Sequence, residues 1–395
     1  MKLLIILVVL IPIITVSDSQ EALEETVKGN NEFAIKFFKH VTSVSSQGKA
    51  KNIVASPISL SSILSMLTLG AQSTTKEEIW KALSLDNNEE TEVHQAFSSL
   101  LQELNKPRSS LQLNIDNAIF VEKTITLLKR FEDDVQRYYY ADVRKTDFNN
   151  SEEATKEINE YVKNKTEGKI EEIIDKVSED AKMVLLNSVL FRGEWVNPFH
   201  PNKTKVGKFF LDSNTTVDVQ MMNRIGQYNT YHDTQLPCTV VELPYKDNAS
   251  MIIAVAEPGK IHEVEQGLCN ETIQRWKTSF TSSNIKLVVP KLSISSTLNL
   301  REVLPELGIN EAFTYSANFS GITRDIPLKV GQAVHKAVLK VDEKGTEAAA
   351  VTAVEMVPVM IYPSIQVDTP FVLIISEHHQ NSILFMATVM DPTEQ

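Results

Sequence analysis

The chain contains little cysteine and little glycine, and these shortages exclude several classes of protein. Only Cys238 and Cys269 occur in 395 residues, so no disulfide scaffold holds the fold. The sequence leaves open whether these thiols are free or bonded. Thirteen glycines are few for a phosphate-binding enzyme, and no phosphate loop, dinucleotide fingerprint or Gly-x-Ser-x-Gly elbow is present. Motifs give no support for an enzyme, although a Ser-His-Asp site assembled only in space would escape such a search.

Metal-binding motifs are also missing, since no His-Glu-x-x-His or Cys-x-x-Cys sequence occurs. The histidines are scattered, apart from His378 and His379, which follow Glu377. This short segment is more typical of a solvated loop than of a surface metal site. We therefore predict no metal and no cofactor.

Positive charge and long apolar runs are scarce as well. The formal charge is −12 at pH 7, and such a balance disfavours nucleic acids and anionic membranes, which bind clustered lysine and arginine. The one sustained apolar run, residues 3–16, follows Lys2 and precedes small polar residues. This arrangement is typical of a secretory signal peptide and is too short for a comfortable membrane span. It predicts that residues 1–19 are removed from a secreted, extracellular protein.

Secretion exposes Asn-x-Ser/Thr triplets to glycosylation. Asn318 lies between apolar stretches and is expected to be too close to the core. The other acceptors lie in polar surroundings and are the glycosylation candidates: Asn149, Asn164, Asn202, Asn214, Asn248 and Asn270.

Helical patterns dominate the first half of the chain and strand patterns the second. Leu60, Ile63, Leu64 and Leu67 have the spacing of one helix face. Further helices are predicted from residue 73 or 74 and over 152–165. Strands are predicted at the apolar, often β-branched segments 183–191, 239–243, 251–256, 285–289, 372–375 and 383–389. Because no linker or repeat divides the chain, we predict an α+β fold in one domain, residues 20–395.

The segment 341–370 has the most informative pattern. A period of two from Thr346 onward places only small or apolar side chains at the even positions through Met356. Both charges of this stretch, Glu347 and Glu355, fall at odd positions. One face of the segment is therefore suited to burial, should the segment become a strand.

The residues alone leave several conformations open for this segment. Its four alanines make it a weak strand former, and Pro358 and Pro363 exclude a central strand beyond Val357. An exposed loop, a strand inserted in a sheet and a short helix rich in Ala and Glu all agree with the pattern.

The same segment resembles the hinge of the reactive loop in the serpin family, in the residues Glu343, Lys344, Gly345, Thr346, Glu347, Ala348, Ala349 and Ala350. Other stretches match this family in the same order over nearly the whole mature chain: 52–59, 117–120, 186–195, 318–321, 334–339, 370–371, 384–386 and 391–392. Several independent motifs in order make the resemblance specific. It is strongest to the plasma branch that contains alpha-1-antitrypsin together with the corticosteroid- and thyroxine-binding globulins.

The resemblance implies a fold of three β-sheets and about nine helices, with an exposed reactive loop at about residues 343–363. It also implies a monomeric suicide substrate rather than an enzyme. A serine protease attacks the loop and forms an acyl-enzyme, and the cleaved loop inserts into the main sheet and traps the complex.

Family loop length also locates the bond that the protease attacks. In loops of this type it follows the seventeenth residue counted from the hinge glutamate, which from Glu343 is the bond between Val359 and Met360, behind Pro358. A register one residue later would place Met360 before the cut. The small β-branched Val359 suits an elastase-like protease.

Four further residues occupy family positions that control insertion. Ser56, Asn187 and His335 match a polar cluster under the point where the main sheet opens, and Trp195 matches a tryptophan near the entry point of the loop. We expect all four to be buried structural residues whose packing controls opening.

Carriage of a hydrophobic hormone, a steroid or thyroxine, is the alternative function. Arg275, Trp276 and Gln380 lie in regions that resemble the hormone pocket of the two globulins. Corticosteroid carriers place a tryptophan near the position of Gln380, and thyroxine carriers place an arginine there. Since this chain has neither residue, the case for a hormone pocket like that of the globulins is weakened, and Trp276 is better explained as a packing residue. A serpin-fold protein with neither activity is a third interpretation.

Overall fold

The structure is a computed structural model that describes residues 16–45, 51–86, 88–106, 110–179, 181–346 and 362–394. Nine α-helices lie in this part of the chain, as expected: α1 (Val16–Ser45), α2 (Pro57–Thr68), α3 (Ser73–Ala82), α4 (Glu90–Leu104), α5 (Lys129–Tyr139), α6 (Ser151–Lys165), α7 (Ile261–Gly267), α8 (Asn270–Ser279) and α9 (Leu300–Val303). Short 3₁₀ helices occupy Pro201–Lys203, Leu304–Leu307 and Glu311–Phe313. Within the described ranges, no helix combines the length and apolar composition that a membrane span requires.

Fifteen strands are present in the same ranges. They are β1 (Ile53–Ala55), β2 (Leu111–Glu122), β3 (Asp142–Thr146), β4 (Met183–Glu194), β5 (Lys205–Phe210), β6 (Thr216–Asp233), β7 (Cys238–Tyr245), β8 (Ala249–Ala256), β9 (Thr281–Pro290), β10 (Leu292–Asn299), β11 (Gln332–Val341), β12 (Gly345–Thr346), β13 (Ser364–Gln366), β14 (Phe371–Glu377) and β15 (Ser382–Val389).

Hydrogen bonds join the described strands into two continuous sheets, because two of the three expected sheets share one strand. The six-stranded sheet has the order β10-β11-β4-β2-β3, with β12 paired to β4, and the nine-stranded sheet has the order β1-β15-β14-β8-β7-β6-β9-β13, with β5 paired to β6. The cause is the length of β6, which spans 18 residues. It pairs with β5 through its first residues, with β9 along its middle and with β7 through its last. One long strand thereby connects two groups of strands that would otherwise form separate sheets.

The predicted α+β class is confirmed, and the predicted elements are present. α2 contains the four apolar residues of the predicted helix face, α3 begins at Ser73, and α6 covers the predicted segment 152–165. Each predicted strand lies within an observed one, namely β4, β7, β8, β9, β14 or β15. Six of the nine described helices precede β4, which agrees with the change from helical to strand patterns near Met183.

Helix α2 is buried on every side, its serines included. Pro57 occupies its first turn, where a missing N–H costs no helical hydrogen bond. The helix packs on α1, β15 and β4. Its buried hydroxyls need partners, and that of Ser62 donates to the carbonyl of Ser59 at 2.7 Å. α2 therefore places polar groups in the core next to the six-stranded sheet.

The six-stranded sheet has an apolar core on each face. On one face Leu185, Val189 and Phe191 of β4 join the main core. On the other face Val184 and Leu186 pack in a second core with side chains of α6. Side chains of β4 therefore alternate between two apolar environments, as the period of two in a strand requires.

Both cysteines are free thiols, which settles the alternative that the sequence left open. Cys269 caps α8, where its sulfur accepts the N–H of Thr272 at 3.4 Å. Cys238 lies buried in β7, and burial raises the pKa of its thiol to about 12. Because the thiolate is the reactive form, Cys238 is inert near neutral pH.

Candidate functional site

The six-stranded sheet divides at one end, and this division is the candidate functional site. β4 and β11 pair in parallel from Val184 opposite Gln332 to Leu190 opposite Val338. Beyond this point β11 continues beside β10 alone, and β4 pairs with β12. Since β2 occupies the other edge of β4, β12 pairs with the same edge of β4 that β11 occupies over residues 184–190. The sheet thus receives a short extra strand where two of its strands separate.

The hinge residues Gly345 and Thr346 form this extra strand, opposite Glu194 and Gly193. Gly345 has a φ of +151°, and a Cβ there would lie 1.8 Å from the carbonyl oxygen of Gly193, so the position requires glycine. The side chain of Thr346 is fully buried, and its hydroxyl lies 3.0 Å from the hydroxyl of Tyr245. The hinge therefore enters the sheet through its first two strand residues.

Trp195 and Tyr245 lie beneath the hinge as a stacked pair, with ring centroids 4.2 Å apart. Trp195 also holds the start of the hinge and the residue that precedes it. Its backbone N–H donates to the carbonyl of Lys344 at 2.8 Å, and its indole Nε1–H donates to the carbonyl of Asp342 at 3.1 Å. The structure places Trp195 beside the point where the loop enters.

Glu343, the first residue of the predicted hinge, is anchored by two side chains. Lys291 Nζ lies 2.7 Å from Oε2, and the hydroxyl of Thr204 donates to Oε1 at 2.8 Å. Burial opposes ionisation of Glu343, but these hydrogen bonds outweigh it and hold the pKa of the carboxyl below its usual value. The ion pair between Glu343 and Lys291 therefore holds one end of the described hinge, and the buried side chain of Thr346 holds the other.

Replacing Glu343 by glutamine should loosen this end of the loop. The carboxylate of Glu343 is nearly buried, whereas the Lys291 side chain is 39% exposed. We therefore expect the free energy of unfolding to fall by about 1–2 kcal/mol, a value between those for surface and for buried ion pairs. Thermal unfolding measures the loss, and hydrogen exchange at the amides of Gly345 and Thr346 should quicken. The control is Asp218→Asn, which removes the exposed pair of Lys208 and Asp218. Equal effects of both variants would contradict the anchoring role.

Ser56, Asn187 and His335 meet in one buried hydrogen-bond network. The backbone N–H of Ser56 donates to His335 Nε2 at 3.2 Å, so the other ring nitrogen carries the proton and donates to Asn187 Oδ1. Asn187 Nδ2 donates in turn to Ser59 Oγ and to Asn117 Oδ1. The network spans α2, β2, β4 and β11, and it lies where β4 and β11 are still paired.

Sequence analysis missed several members of both groups. Ser59, Asn117, Tyr245, Thr204 and Lys291 have no local signature, since each bonds to a residue far away in the chain. Asn117 at least begins one of the stretches that carry the family resemblance. The four predicted sheet-opening residues also do not form one cluster, because Trp195 follows Asn187 along β4 by about 26 Å at the rise of a strand.

The network predicts a stability that depends on pH. Burial lowers the pKa of His335 to about 3, whereas the unfolded chain titrates near 6.5. The folded state therefore binds fewer protons, and the stability from this group is complete above pH 6.5 and is lost as pH falls toward 3. We expect a loss of about 3 kcal/mol between pH 6.5 and 4.

Unfolding midpoints measured across this pH range test the prediction. His335→Gln should remove that part of the pH dependence, and the exposed His379→Gln should retain it. Identical pH profiles for the wild type and His335→Gln would contradict the assignment.

The central part of the loop lies outside the described residues. This includes the hinge residues Glu347, Ala348, Ala349 and Ala350 and the predicted reactive bond between Val359 and Met360. The chain is described again from Tyr362, and β13 pairs in parallel with β9.

Two of the three hormone-pocket candidates meet at one carboxylate. Arg275 Nη2 lies 2.7 Å from Asp233 Oδ2, and the indole Nε1–H of Trp276 donates to the same oxygen at 2.6 Å. Burial opposes ionisation of Asp233, but these two donors hold its pKa below the usual value. Gln380 lies in the turn between β14 and β15, and its backbone N–H donates to Glu377. Trp276 is fully buried, which agrees with a packing role.

The remaining candidates lie at the surface. Five glycosylation candidates are exposed, and Asn270, the first residue of α8, is half-buried, as is Asn318.

His378 and His379 are exposed, whereas Glu377 is buried and accepts the backbone N–H groups of His379 and Gln380. Glu377 therefore stabilises a turn. In the described part of the chain, no group of three or more His, Cys, Asp or Glu residues is arranged to hold a metal ion.

A parallel pair of strands that separates at one end and admits Gly345 and Thr346 as a short extra strand is the feature that defines the class of this protein. Comparisons with known proteins identify the class. A family model described as serpin (serine protease inhibitor) matches residues 28–392. The chain therefore belongs to the serpin family.

Individual relatives agree with this assignment. The chain is 42% identical to serine protease inhibitor A6 of Xenopus laevis, over 92% of this chain and 83% of the relative. It is 40% identical to alpha-1-antiproteinase of Rattus norvegicus, over 92% and 88%. The structure of human thyroxine-binding globulin complexed with thyroxine superimposes with a TM-score of 0.89 at 38% identity, over 94% of this chain and 100% of the other.

Proposed function

We propose that the protein is an inhibitor of a serine protease and acts as a suicide substrate. The protease serine attacks the carbonyl of Val359, an acyl-enzyme forms, and the peptide that begins at Met360 leaves. The cleaved loop then enters between β4 and β11, whose paired residues 184–190 and 332–338 must separate to admit it, and carries the acylated protease with it. The observation that supports this proposal best is the register in which β12 already pairs with β4.

Continuing that register along β4 assigns a partner to each loop residue in the inserted state. Even-numbered loop residues fall opposite odd-numbered residues of β4: Ala348 opposite Phe191, Ala350 opposite Val189, Thr352 opposite Asn187, Val354 opposite Leu185 and Met356 opposite Met183. All of these β4 residues are buried. The uncharged face of the loop therefore meets the face of β4 that joins the main core, where an unpaired charge would cost several kcal/mol.

Odd-numbered loop residues fall on the other face in this register. Glu347 would lie opposite Arg192, which is half-buried and lies near the end of the strand. β4 begins at Met183, opposite Met356, so its length matches the stretch of loop that precedes Val357 and Pro358. The sequence of the loop and the length of the strand thus agree.

Heat stability before and after cleavage of the loop tests insertion directly. A net gain of about ten ladder hydrogen bonds at about 1 kcal/mol each, at about 1.3 °C per kcal/mol for a domain of about 375 residues, predicts that the unfolding midpoint rises by about 10 °C or more. Thr346→Arg protein cut at the same bond is the control and should show no such rise. An unchanged midpoint in the cleaved wild type would contradict insertion.

The proposal includes a secreted, glycosylated monomer, with residues 1–19 as signal peptide and residues 20–395 as the mature domain. The exposure of five acceptor asparagines supports glycosylation. Mass spectrometry of the protein from a secreting cell should give Gln20 as the first residue and a mass that falls on treatment with a glycosidase. Retention of residues 1–19 would contradict this part.

Hormone carriage is the second candidate function, and it rests on the likeness to thyroxine-binding globulin described above. The local contacts favour it less, because Asp233 already binds both Arg275 and Trp276. Fluorescence titration of the tryptophans with thyroxine and with cortisol separates the two functions. A carrier should give saturable quenching that is lost on Trp276→Phe, whereas an inhibitor without a hormone site should give none.

A further inference from the structure

A cavity of about 730 Å³ lies at the end of β5 and shares no lining residue with the hinge or the polar network. Four segments form it: the end of β5 with the turn that follows, the turn between β8 and α7, the stretch that leads into β14, and Met390 directly after β15. Its volume lies within the range of small-molecule sites, roughly 300–1,000 Å³. The cavity is therefore large enough for an aromatic ligand.

Apolar side chains line most of the cavity: Phe210, Leu211, Pro258, Ile261, Pro370 and Met390. Phe210 is 44% exposed, which is unusual for so large an apolar side chain. A ligand ring that packed on Phe210 and Ile261 would remove this surface from water. The walls thus favour a hydrophobic ligand.

The polar groups of the cavity are acidic. Asp212 is already occupied, because it accepts the backbone N–H groups of Asn214 and Thr215. Glu257 is exposed. Asp368 is half-buried, and its carboxylate has neither an ion pair nor a hydrogen bond with another residue in the described ranges. Among the described residues, no lysine or arginine lines the cavity. The nearby Lys260 pairs with Glu263.

We propose that this cavity binds a small hydrophobic amine, with its ring against Phe210 and Ile261 and its ammonium group paired with Asp368. The charge of the cavity selects this class, because a partly desolvated carboxylate attracts a cation and repels an anion. An ammonium close to the Phe210 ring would gain cation–π attraction as well.

A ligand in this cavity would also hold the stretch that leads into β14, at Asp368 and Thr369, against the rest of the domain. The carbonyl of Asp368 accepts the N–H of Phe210 at 2.8 Å, and the hydroxyl of Thr369 donates to the carbonyl of Ala256 at 3.0 Å. A ligand that contacts these segments therefore stabilises the folded state by mass action.

Three naphthalene probes of similar size test the charge preference: 2-(1-naphthyl)ethylamine, 1-naphthaleneethanol and 1-naphthaleneacetate. Calorimetric titration of the full chain should give the amine at least tenfold higher affinity than the alcohol, and no binding of the acetate. Equal affinity of amine and alcohol, or binding of none of the three, would overturn the proposal.

Variants locate the site. Asp368→Asn should lower the affinity for the amine at least tenfold and leave that for the alcohol unchanged, while Asp218→Asn, at an exposed carboxylate outside the cavity, serves as the matched acidic control with less than a threefold effect. Should Asp368→Asn fail to fold, Ile261→Trp, which fills the cavity, should abolish amine binding in a folded chain. Retained binding by either folded variant would overturn the assignment.

Discussion

Under the proposed mechanism, Thr346→Arg should turn an inhibitor into a substrate. Thr346 is fully buried beside Gly193 and Tyr245, and a guanidinium placed there would be an unpaired buried charge that costs several kcal/mol. Insertion would then be too slow to compete with hydrolysis of the acyl-enzyme. We expect the yield of covalent complex to fall more than tenfold on denaturing gels, while the rate of loop cleavage stays within about twofold of the wild type.

Two conservative variants serve as controls. Thr346→Ser keeps a hydroxyl for Tyr245 and should keep most of the complex. Glu347→Gln changes the next residue along, at a position assigned to the other face of the inserted strand, and should have little effect. If Thr346→Arg formed complex at the wild-type ratio, insertion along β4 in this register would be wrong.

Under the proposed function, Val359→Arg should shift inhibition from elastase-like to trypsin-like proteases. Elastases have a small pocket for the residue before the cut, whereas trypsin-like pockets contain an acid that pairs with arginine. Since a buried unpaired charge or a missing ion pair costs several kcal/mol, we expect at least a hundredfold change in each association rate, in opposite directions. Second-order rate constants measured with elastase and with trypsin give the result.

The companion variant Met360→Arg distinguishes the two registers of the cut. If the bond lies after Val359, Met360→Arg should leave selectivity nearly unchanged. Trypsin inhibition by Met360→Arg and not by Val359→Arg would move the reactive bond one residue later.

Local elements were predictable because their causes are local. The apolar spacing of α2 and the charged surface of α6 appear directly in the sequence, and so do the β-branched cores of β8, β14 and β15. The alternation of uncharged even positions with odd positions that carry the charges, from Thr346 onward, also appears in the sequence, and the buried side chain of Thr346 agrees with it. In such segments one residue pattern decides both the conformation and the buried face.

Contacts between distant residues were not predictable from one sequence. Glu343 and Lys291 meet only because β10 and β11 pair in register, and Trp276 meets Asp233 only after β6 and β7 have formed. The joining of two sheets through β6 depends likewise on its full length of 18 residues, which no motif reveals. These features follow from topology, for which the family resemblance supplied a general plan but no individual partners.

The most direct test of the inhibitory function mixes the mature protein with neutrophil or pancreatic elastase and analyses the products on denaturing gels and by sequencing. The proposal predicts a complex that survives boiling, together with a released peptide that begins at Met360. Cleavage of the loop without complex, by elastase and by trypsin- and chymotrypsin-like proteases alike, would contradict the inhibitory function.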